Sequence, residues 1–387
     1  MVQKDNCIGC QACVDRCAQK AISFQYDEWG EGRAVVDASE CNNCGLCETC
    51  CPSLVTDFNK AQKNVLAAYS KSNRQTGSSG GIFFELASKV INDGGVVFGA
   101  AFDENLKLIH KSARSVSELE ALCKSKYLHS DMSGVYNEIL DCLKKGLKVM
   151  FVGTPCQVSA VKNLFSKKYD RQLLLIDFLC HGTGTQKIFD LCIKNEEKKK
   201  NGKIVKFVFR AKTKNRPHNF CYTIEKAGKM KKVAGYPFEF PYYYSYSKRN
   251  ILNEYCYECK FAKQERVGDI TIGDFWGVRK YNKKLNELKG VSMLSANTQK
   301  GKDAFELIKD GCAVCEYPIE HASSSNQAFR EKISESCHKS KLALLTTLNT
   351  KGEEALMKKL SCPNVKKEKI YVHTPMFIKK IWNGVKK

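Results

Sequence analysis

The stretch KVMFVGTPCQVSAVKNLFSKKYDRQLLLIDFLC, residues 148–180, decides the fold of the larger part of this chain. Lys148 to Val152 is an apolar run of strand length, Pro155 to Lys167 has helical spacing, and Leu173 to Leu179 is a second strand-like run. Strand, helix and strand in that order read as a βαβ unit, whose crossover is right-handed. Cys156 follows the first strand through Gly153-Thr154-Pro155, and Cys180 ends the second. Both thiols then stand at the carboxyl ends of neighbouring parallel strands, the edge where open α/β sheets hold ligands. Upstream, Gly81 to Asp93 is apolar at Ile82, Phe83, Leu86 and Val90 and stops at Gly94-Gly95 before the strand Val96 to Phe102. Met132 to Lys145 repeats the helical pattern. This alternation predicts a mixed α/β domain with at least one parallel pair. Downstream, Cys256 and Cys259 form a CxxC in the loop Tyr255 to Lys260, which can complete a four-thiol set. Spacing alone leaves a second reading open, since scattered cysteines also serve as small buried apolar residues.

At the start of the chain, Cys7, Cys10, Cys13 and Cys17 follow C-x2-C-x2-C-x3-C, and Cys41, Cys44, Cys47 and Cys51 repeat it, with Pro52 next. In the bacterial ferredoxin pattern, three cysteines of a run hold one cubane and the fourth reaches the other. Cys7, Cys10, Cys13 and Cys51 are therefore assigned to one [4Fe-4S] cluster, and Cys41, Cys44, Cys47 and Cys17 to a second. Gly9 and Gly45 let the backbone turn tightly, and Ala21–Phe24 and Ala34–Val36 flank a hairpin turn at Asp27–Gly32. Ala18 stands where the pattern usually has proline, but the ligand spacing is intact. Cys50 competes with Cys51, and the three-residue gap and Pro52 favour Cys51. Two zinc knuckles are the alternative, but zinc ligand pairs are normally separated by a longer loop. Residues 1–57 thus resemble a ferredoxin-like dicluster domain, and 58–64 read as a linker.

The chain has 387 residues, 43% of them hydrophobic, with 63 Lys and Arg against 41 Asp and Glu, for a formal charge of +22. Apolar content this high, with both signs of charge interspersed, excludes the disordered and low-complexity classes. No apolar run approaches the ~18 residues of a spanning helix. Met1 to Asn6 are polar, so no leader is expected and a cytoplasmic, reducing location is. There, 21 cysteines are better read as metal ligands than as disulfides.

Several further segments carry a family resemblance: Ser78-Ser79-Gly80-Gly81-Ile82-Phe83, Gly94 to Phe102, Lys124-Ser125-Lys126-Tyr127, Gly153-Thr154-Pro155-Cys156-Gln157, Cys180-His181-Gly182, Cys256 to Cys259 and ITIGDFWG at 270–277. In this order they resemble the coenzyme F420 hydrogenase/dehydrogenase beta-subunit family over about 64–340. The resemblance implies an α+β / α/β architecture, with the dicluster domain followed by a mixed α/β flavin- and cluster-binding domain at 65–340. It implies an FAD-binding iron–sulfur oxidoreductase in which Cys156, Cys180, Cys256 and Cys259 hold a third [4Fe-4S] cluster. FAD is expected against the glycine-rich start Ser78, Ser79, Gly80 and Gly81, whose backbone N–H groups at a helix start suit a pyrophosphate. Lys126 and Tyr127 would offer a cation and an aromatic face, Gly153 and Thr154 line the same pocket, and Gly273, Asp274 and Trp276 form a wall. His181, as the catalytic candidate, either protonates substrate or reduced flavin or donates a hydrogen bond to cluster sulfur.

Cys312 and Cys315 sit three apart in a strand-like segment, where side chains alternate faces, and are read as packing residues. Residues 341–387 are a basic C-terminal helical segment, ending in a helix from Thr374-Pro375 with Phe377, Ile378, Ile381, Trp382 and Val385 apolar. Such a helix can lie on an anionic membrane surface, but docking on its own domain or a partner is expected. Basic runs such as Lys198-Lys199-Lys200 suit an acidic ferredoxin or an anionic small-molecule substrate rather than nucleic acid, for which no binding module is recognised. A sugar-linked substrate is implied by the resemblance alone. The family's bacterial members point to surface-polysaccharide biosynthesis. The other readings are a coenzyme F420-dependent oxidoreductase and an electron-relay subunit without its own substrate.

Overall fold

The computed structural model describes residues 7–213, 216–329 and 332–374, so the expected last helix beyond Thr374 lies outside the described residues. Two short helices, α1 (Ala12–Arg16) and α2 (Leu46–Thr49), bracket a hairpin of β1 (Ile22–Tyr26) and β2 (Gly32–Val36). The chain then enters a large sheet with β3 (Asn64–Ser70), α3 (Ile82–Asn92), β4 (Val96–Phe102), β5 (Leu108–Ala113), α4 (Leu119–Leu122) and α5 (Val135–Lys144). Residues 148–180 follow as β6 (Val149–Gly153), α6 (Pro155–Tyr169) and β7 (Leu173–Phe178). After α7 (Gln186–Lys200), a separate antiparallel sheet forms from β8 (Lys203–Thr213), β9 (Arg216–Lys226) and β10 (Lys229–Gly235). Next come α8 (Pro241–Ser247), β11 (Ile270–Asp274), β12 (Ser292–Ala296), α9 (Gln299–Glu306), β13 (Cys312–Pro318) and α10 (Ile319–Ser323). The last described elements are α11 (Glu335–Leu360), broken at Gly352 (φ 76°), and α12 (Val365–His373).

The eight-stranded sheet has the order β13-β3-β12-β11-β7-β6-β4-β5. Its four central strands, β4, β6, β7 and β11, run parallel, and antiparallel strands close both sides. Parallel strands are buried on both faces and need near-continuous apolar sequence, which is why the β6 and β7 runs were readable. The expected βαβ unit is β6-α6-β7, paired in register from Val149–Leu173 to Gly153–Asp177. The carboxyl ends of β6, β7 and β11 therefore lie side by side.

The N-terminal domain is not tethered by a free linker. Ile8, Ala12, Ile22 and Ala34 share one apolar core with Val135, Ile139, Val158 and Phe261 of the main domain. Trp29, 1% exposed, inserts the hairpin turn into a second core made by α7, α8, α11 and the aromatic side chains of β8 and β9. The 58–64 segment is itself tied down: Asn59 donates from its backbone N–H to Arg266 O (2.8 Å) and from Nδ2 to Gly268 O (2.9 Å). Helix α11 crosses the expected boundary at 340–341, with Leu344, Leu356 and Leu360 buried in the second core. Cys312 and Cys315 of β13 pack into different cores, as alternation along a strand requires. No helix of the described residues is long and apolar enough to cross a membrane.

Candidate cluster and cofactor sites

The two N-terminal cysteine runs share one backbone form. In each, the residues on both sides of the second cysteine, Gly9 and Gln11 or Asn43 and Gly45, have positive φ (69°, 63°, 56° and 72°). Each run turns tightly at these positions and then starts a short helix carrying the third cysteine. The Cys10 thiol lies in the field of Cys13, Cys51 and Cys7, the set assigned to the first cluster from spacing. Cys13 also feels Cys50, whose Sγ lies 3.3 Å from Cys47 O. Burial, reinforced by like-charged neighbours, raises the pKa of Cys10, Cys13 and Cys50; Cys50 is pushed up to about 12. Bare thiolates are disfavoured there, and a cationic iron core, when bound, would supply the charge that reverses this. Cys41, Cys44, Cys47 and Cys17 lie further out, with Cys44 exposed and Cys41, Cys47 and Cys17 half-buried. Among the described residues, no group of three or more His, Cys, Asp or Glu side chains is gathered around a single-ion position.

The third set comes together from three elements. Cys156 is the second residue of α6, Cys180 lies just past β7, and Cys256 and Cys259 flank the end of a 3-10 turn at Glu254–Cys256. All four line one cavity, and Cys256 feels Cys259, Cys180 and Cys156. Gly182 (φ 94°) allows the close approach, since a Cβ there would meet Leu252 Cδ1 at 2.8 Å and Cys256 Cβ at 3.3 Å. Burial raises the pKa of each thiol, that of Cys156 to about 12. A buried pair fixes the frame: Asp177 at the end of β7 accepts from Arg266 Nη2 (3.1 Å), Thr271 Oγ1 (2.6 Å) and the N–H groups of Val267 and Gly268. Arg266 in turn donates to Phe261 O, Lys263 O and Phe178 O. The loop after Cys259 is thus laced to the strand that leads to Cys180.

The inner N-terminal set faces this third set. Tyr136 donates to Cys10 O (2.7 Å) and lies in the field of both Cys10 and Cys156. His129 links Gly9 O (3.0 Å) to the Tyr255 hydroxyl (2.9 Å), next to Cys256. Lys260, which donates to Ser53 O, is near both Cys51 and Cys259.

A second cleft opens on the other side of Cys180. Ser78, Ser79, Gly81, Lys126, Tyr127, Gly153, Thr154, Gly273 and Asp274 all line it, as does His181. Two of the expected cofactor residues do not. Gly80 is pressed against the sheet, where a Cβ would meet Ala68 O at 2.3 Å, and Trp276 stands behind Arg210, 5.8 Å from its guanidinium. Lys126 is on the wall, but its ammonium is turned to the carbonyls of Ala121 (2.9 Å) and Cys123 (2.8 Å) at the end of α4 rather than to the glycine-rich loop. Carbonyls left open at a helix end attract a cation, which explains the difference. Tyr127 stacks on Tyr246 at 4.4 Å.

The sequence reading missed Arg210 of β8, which is buried and paired with Asp274, and Lys212, held on the carbonyls of Arg74 and Ser79. Burial and the neighbouring Arg74 and Arg210 lower the Lys212 pKa to about 8. Lys212 lies in the field of Arg74, Arg210 and Lys124 as well as of Asp274, an excess of positive charge near the start of α3 that fits a diphosphate. His181 borders both cavities; burial and the nearby Arg249 lower its pKa to about 4, so the imidazole is neutral at neutral pH rather than titrating there.

Thiols spaced and nested in this way, on a domain with a flanking cationic cleft, define an iron–sulfur electron-transfer protein of the oxidoreductase class. Residues 6–55 match the 4Fe-4S dicluster domain, and residues 146–321 match the family described as the C terminus of the coenzyme F420 hydrogenase/dehydrogenase beta subunit. The chain therefore carries a dicluster iron–sulfur domain followed by a domain of that beta-subunit family. A chain of the F420-reducing [NiFe] hydrogenase complex from Methanosarcina barkeri is similar at 16% identity and a TM-score of 0.47, over 76% of this chain and 96% of that one. Comparison with the curated proteins gives no match.

Proposed function

We propose that this protein is an FAD-containing iron–sulfur oxidoreductase that moves electrons between an external one-electron carrier and an organic substrate. The observation that carries this reading is a shared wall: Thr154, Cys180, His181, Gly182 and Thr183 border both the four-thiol cavity and the cationic cleft. Cys156, Cys180, Cys256 and Cys259 would hold a third [4Fe-4S] cluster on one side of that wall. On the other, the 77–81 loop and the start of α3 would take the FAD pyrophosphate, with Arg210 and Lys212 supplying positive charge and Tyr127 an aromatic face. FAD, when bound, exchanges electron pairs with an organic substrate and single electrons with a cluster. The neutral His181 imidazole in the wall is placed to hydrogen-bond either group.

Exposure supports an order for the relay. The set with exposed Cys44 would face the carrier, the set of half-buried Cys7 and buried Cys10, Cys13 and Cys51 would lie behind it, and the third set would adjoin the cleft. An acidic ferredoxin is the carrier that a basic chain favours, delivering electrons for substrate reduction. The match to the beta-subunit family favours a second reading, exchange with coenzyme F420 itself, in which the cleft's cations face an anionic deazaflavin.

Iron, sulfide and flavin analysis of anaerobically purified protein tests the proposal. About twelve iron atoms and one FAD per chain are expected, with Cys156→Ser or Cys259→Ser retaining about eight iron atoms. Eight iron atoms in the wild type, or no flavin, overturns it. Bleaching of the flavin band by reduced F420 under argon selects the second reading.

A further inference from the structure

One side chain in the shared wall touches both sites. Thr154 Oγ1 stands 3.0 Å from Cys156 Sγ and 2.9 Å from Gln157 Oε1. The rest of its network has fixed directions. His110 Nε2 lies 3.1 Å from Val152 O, and a carbonyl only accepts, so Nε2 carries the proton of the neutral ring. His110 Nδ1 therefore accepts from the Ser130 hydroxyl at 2.7 Å, and Ser130 Oγ in turn accepts from Gln157 Nε2 at 2.9 Å. That leaves Gln157 Oε1 as the acceptor facing Thr154, where it already takes the Thr154 backbone N–H at 3.1 Å. Each hydrogen bond in this buried chain has a fixed direction and partner except the one made by Thr154. The Thr154 hydroxyl has a single proton and two acceptors, and either choice leaves no buried donor unpaired.

We propose that Thr154 sets the reduction potential of the third cluster by donating a hydrogen bond from Oγ1 to Cys156 Sγ, turning away from Gln157 as the sulfur becomes more negative. The role rests on the third-cluster reading above. A metal-bound cysteine has no proton of its own, so its sulfur is an acceptor only, and hydrogen bonds to cluster sulfurs are one of the protein's means of tuning potential. Because Gln157 Oε1 keeps the backbone N–H in both arrangements, rotating the hydroxyl costs no buried polar group its partner. His110, Ser130, Gln157 and Thr154 also line the cleft, so the same chain exposes the cluster ligand to whatever charge the cleft holds. Thr154 is a positioning residue here: it acts on the metal through Cys156.

The test is a redox titration of the full-length, anaerobically reconstituted protein, followed by electron paramagnetic resonance at each potential. Thr154→Val keeps the branched shape and removes the hydroxyl; Thr154→Ser keeps the hydroxyl. With iron at about twelve atoms per chain in all three proteins, Thr154→Val should move one cluster to a more negative potential. At fixed potential its reduced-to-oxidised ratio should fall by about tenfold or more, as suits the loss of a hydrogen bond to a charged acceptor. Thr154→Ser should titrate like the wild type. Twelve iron atoms with no cluster displaced in Thr154→Val, or an equal displacement in Thr154→Ser, overturns the role while leaving the third cluster standing. Wild-type iron of about eight atoms overturns the third cluster, and this role with it.

Discussion

His110 shows how a cavity wall chooses the protonation state of a side chain. It is buried, stacked on Phe151 with ring centroids 5.1 Å apart, and bonded at both nitrogens, and burial lowers its pKa from 6.5 to about 4. In the unfolded chain the imidazole takes up a proton as pH falls below about 6.5, whereas the folded chain resists protonation until about pH 4. The folded pKa is the lower of the two, so the stabilisation is present above pH ~6.5 and is lost as pH falls toward the folded value. Denaturant titrations at pH 7 and pH 4.5 should show the wild type losing on the order of 2–3 kcal/mol from this group, and His110→Gln losing correspondingly less. Equal acid sensitivity in the two proteins would exclude His110 as a source. At this scale the two N-terminal cysteine runs were legible, because their spacing is itself the pattern of a dicluster domain, and the match over residues 6–55 agrees. Arg210 was not: its partner Asp274 is 64 positions away, and a lone arginine among the lysines of β8 reads as a solvated face.

Between elements, the contact that decides the third set is the Asp177–Arg266 pair, with side chains 0% and 3% exposed. It joins the end of a parallel strand to the loop after the CxxC, a link between residues 89 positions apart. Taking two charges out of water is costly, and here five donors to Asp177 and three carbonyl acceptors around Arg266 offset that cost. Removing one partner strands the other, so Asp177→Asn should destabilise by roughly 3–5 kcal/mol in chemical denaturation. It should also lower iron content toward that of Cys259→Ser. Unchanged stability and full iron retention would show that the loop is held by other contacts. The βαβ unit was legible at this scale because a parallel strand is apolar over its whole length and its helix opens with Pro155. Strands β8 to β10 were not read, because Lys203, Lys206, Lys229 and Lys231 interrupt them and their apolar faces close against α7 and α8. The docking of the N-terminal hairpin was equally silent. Glu31 at its turn pairs with buried Lys341 of α11, and no pattern along the chain relates positions 310 apart.

For the whole molecule, charge and depth point to one route. Along the sequence the outer thiol set is flanked by Arg16 and Lys20 but also by Asp37, Glu40 and Glu48, so among the described residues its near neighbours in the chain carry no excess of positive charge. Steering of an anionic carrier must come from the field of the entire chain, formally +22. A field of that origin is long-ranged and therefore sensitive to salt, since the screening length falls from about 30 Å at 0.01 M to about 8 Å at 0.15 M. Stopped-flow reduction by an acidic ferredoxin should slow by roughly tenfold or more over that range, while reduction by a neutral one-electron donor should hardly change. Cys44→Ser adds the positional half of the argument. Losing the outer cluster should slow reduction by the ferredoxin, yet leave unchanged the reduction of the proposed third cluster from the cleft side by a substrate analogue or chemically reduced flavin, because Cys180 of that set borders the cleft itself. A rate independent of salt would locate the docking contact in apolar or short-range interactions. A Cys44→Ser protein reduced by the ferredoxin at the wild-type rate would move the electron inlet to the face of the third set, where Lys260 and Lys332 border the open side of that cavity.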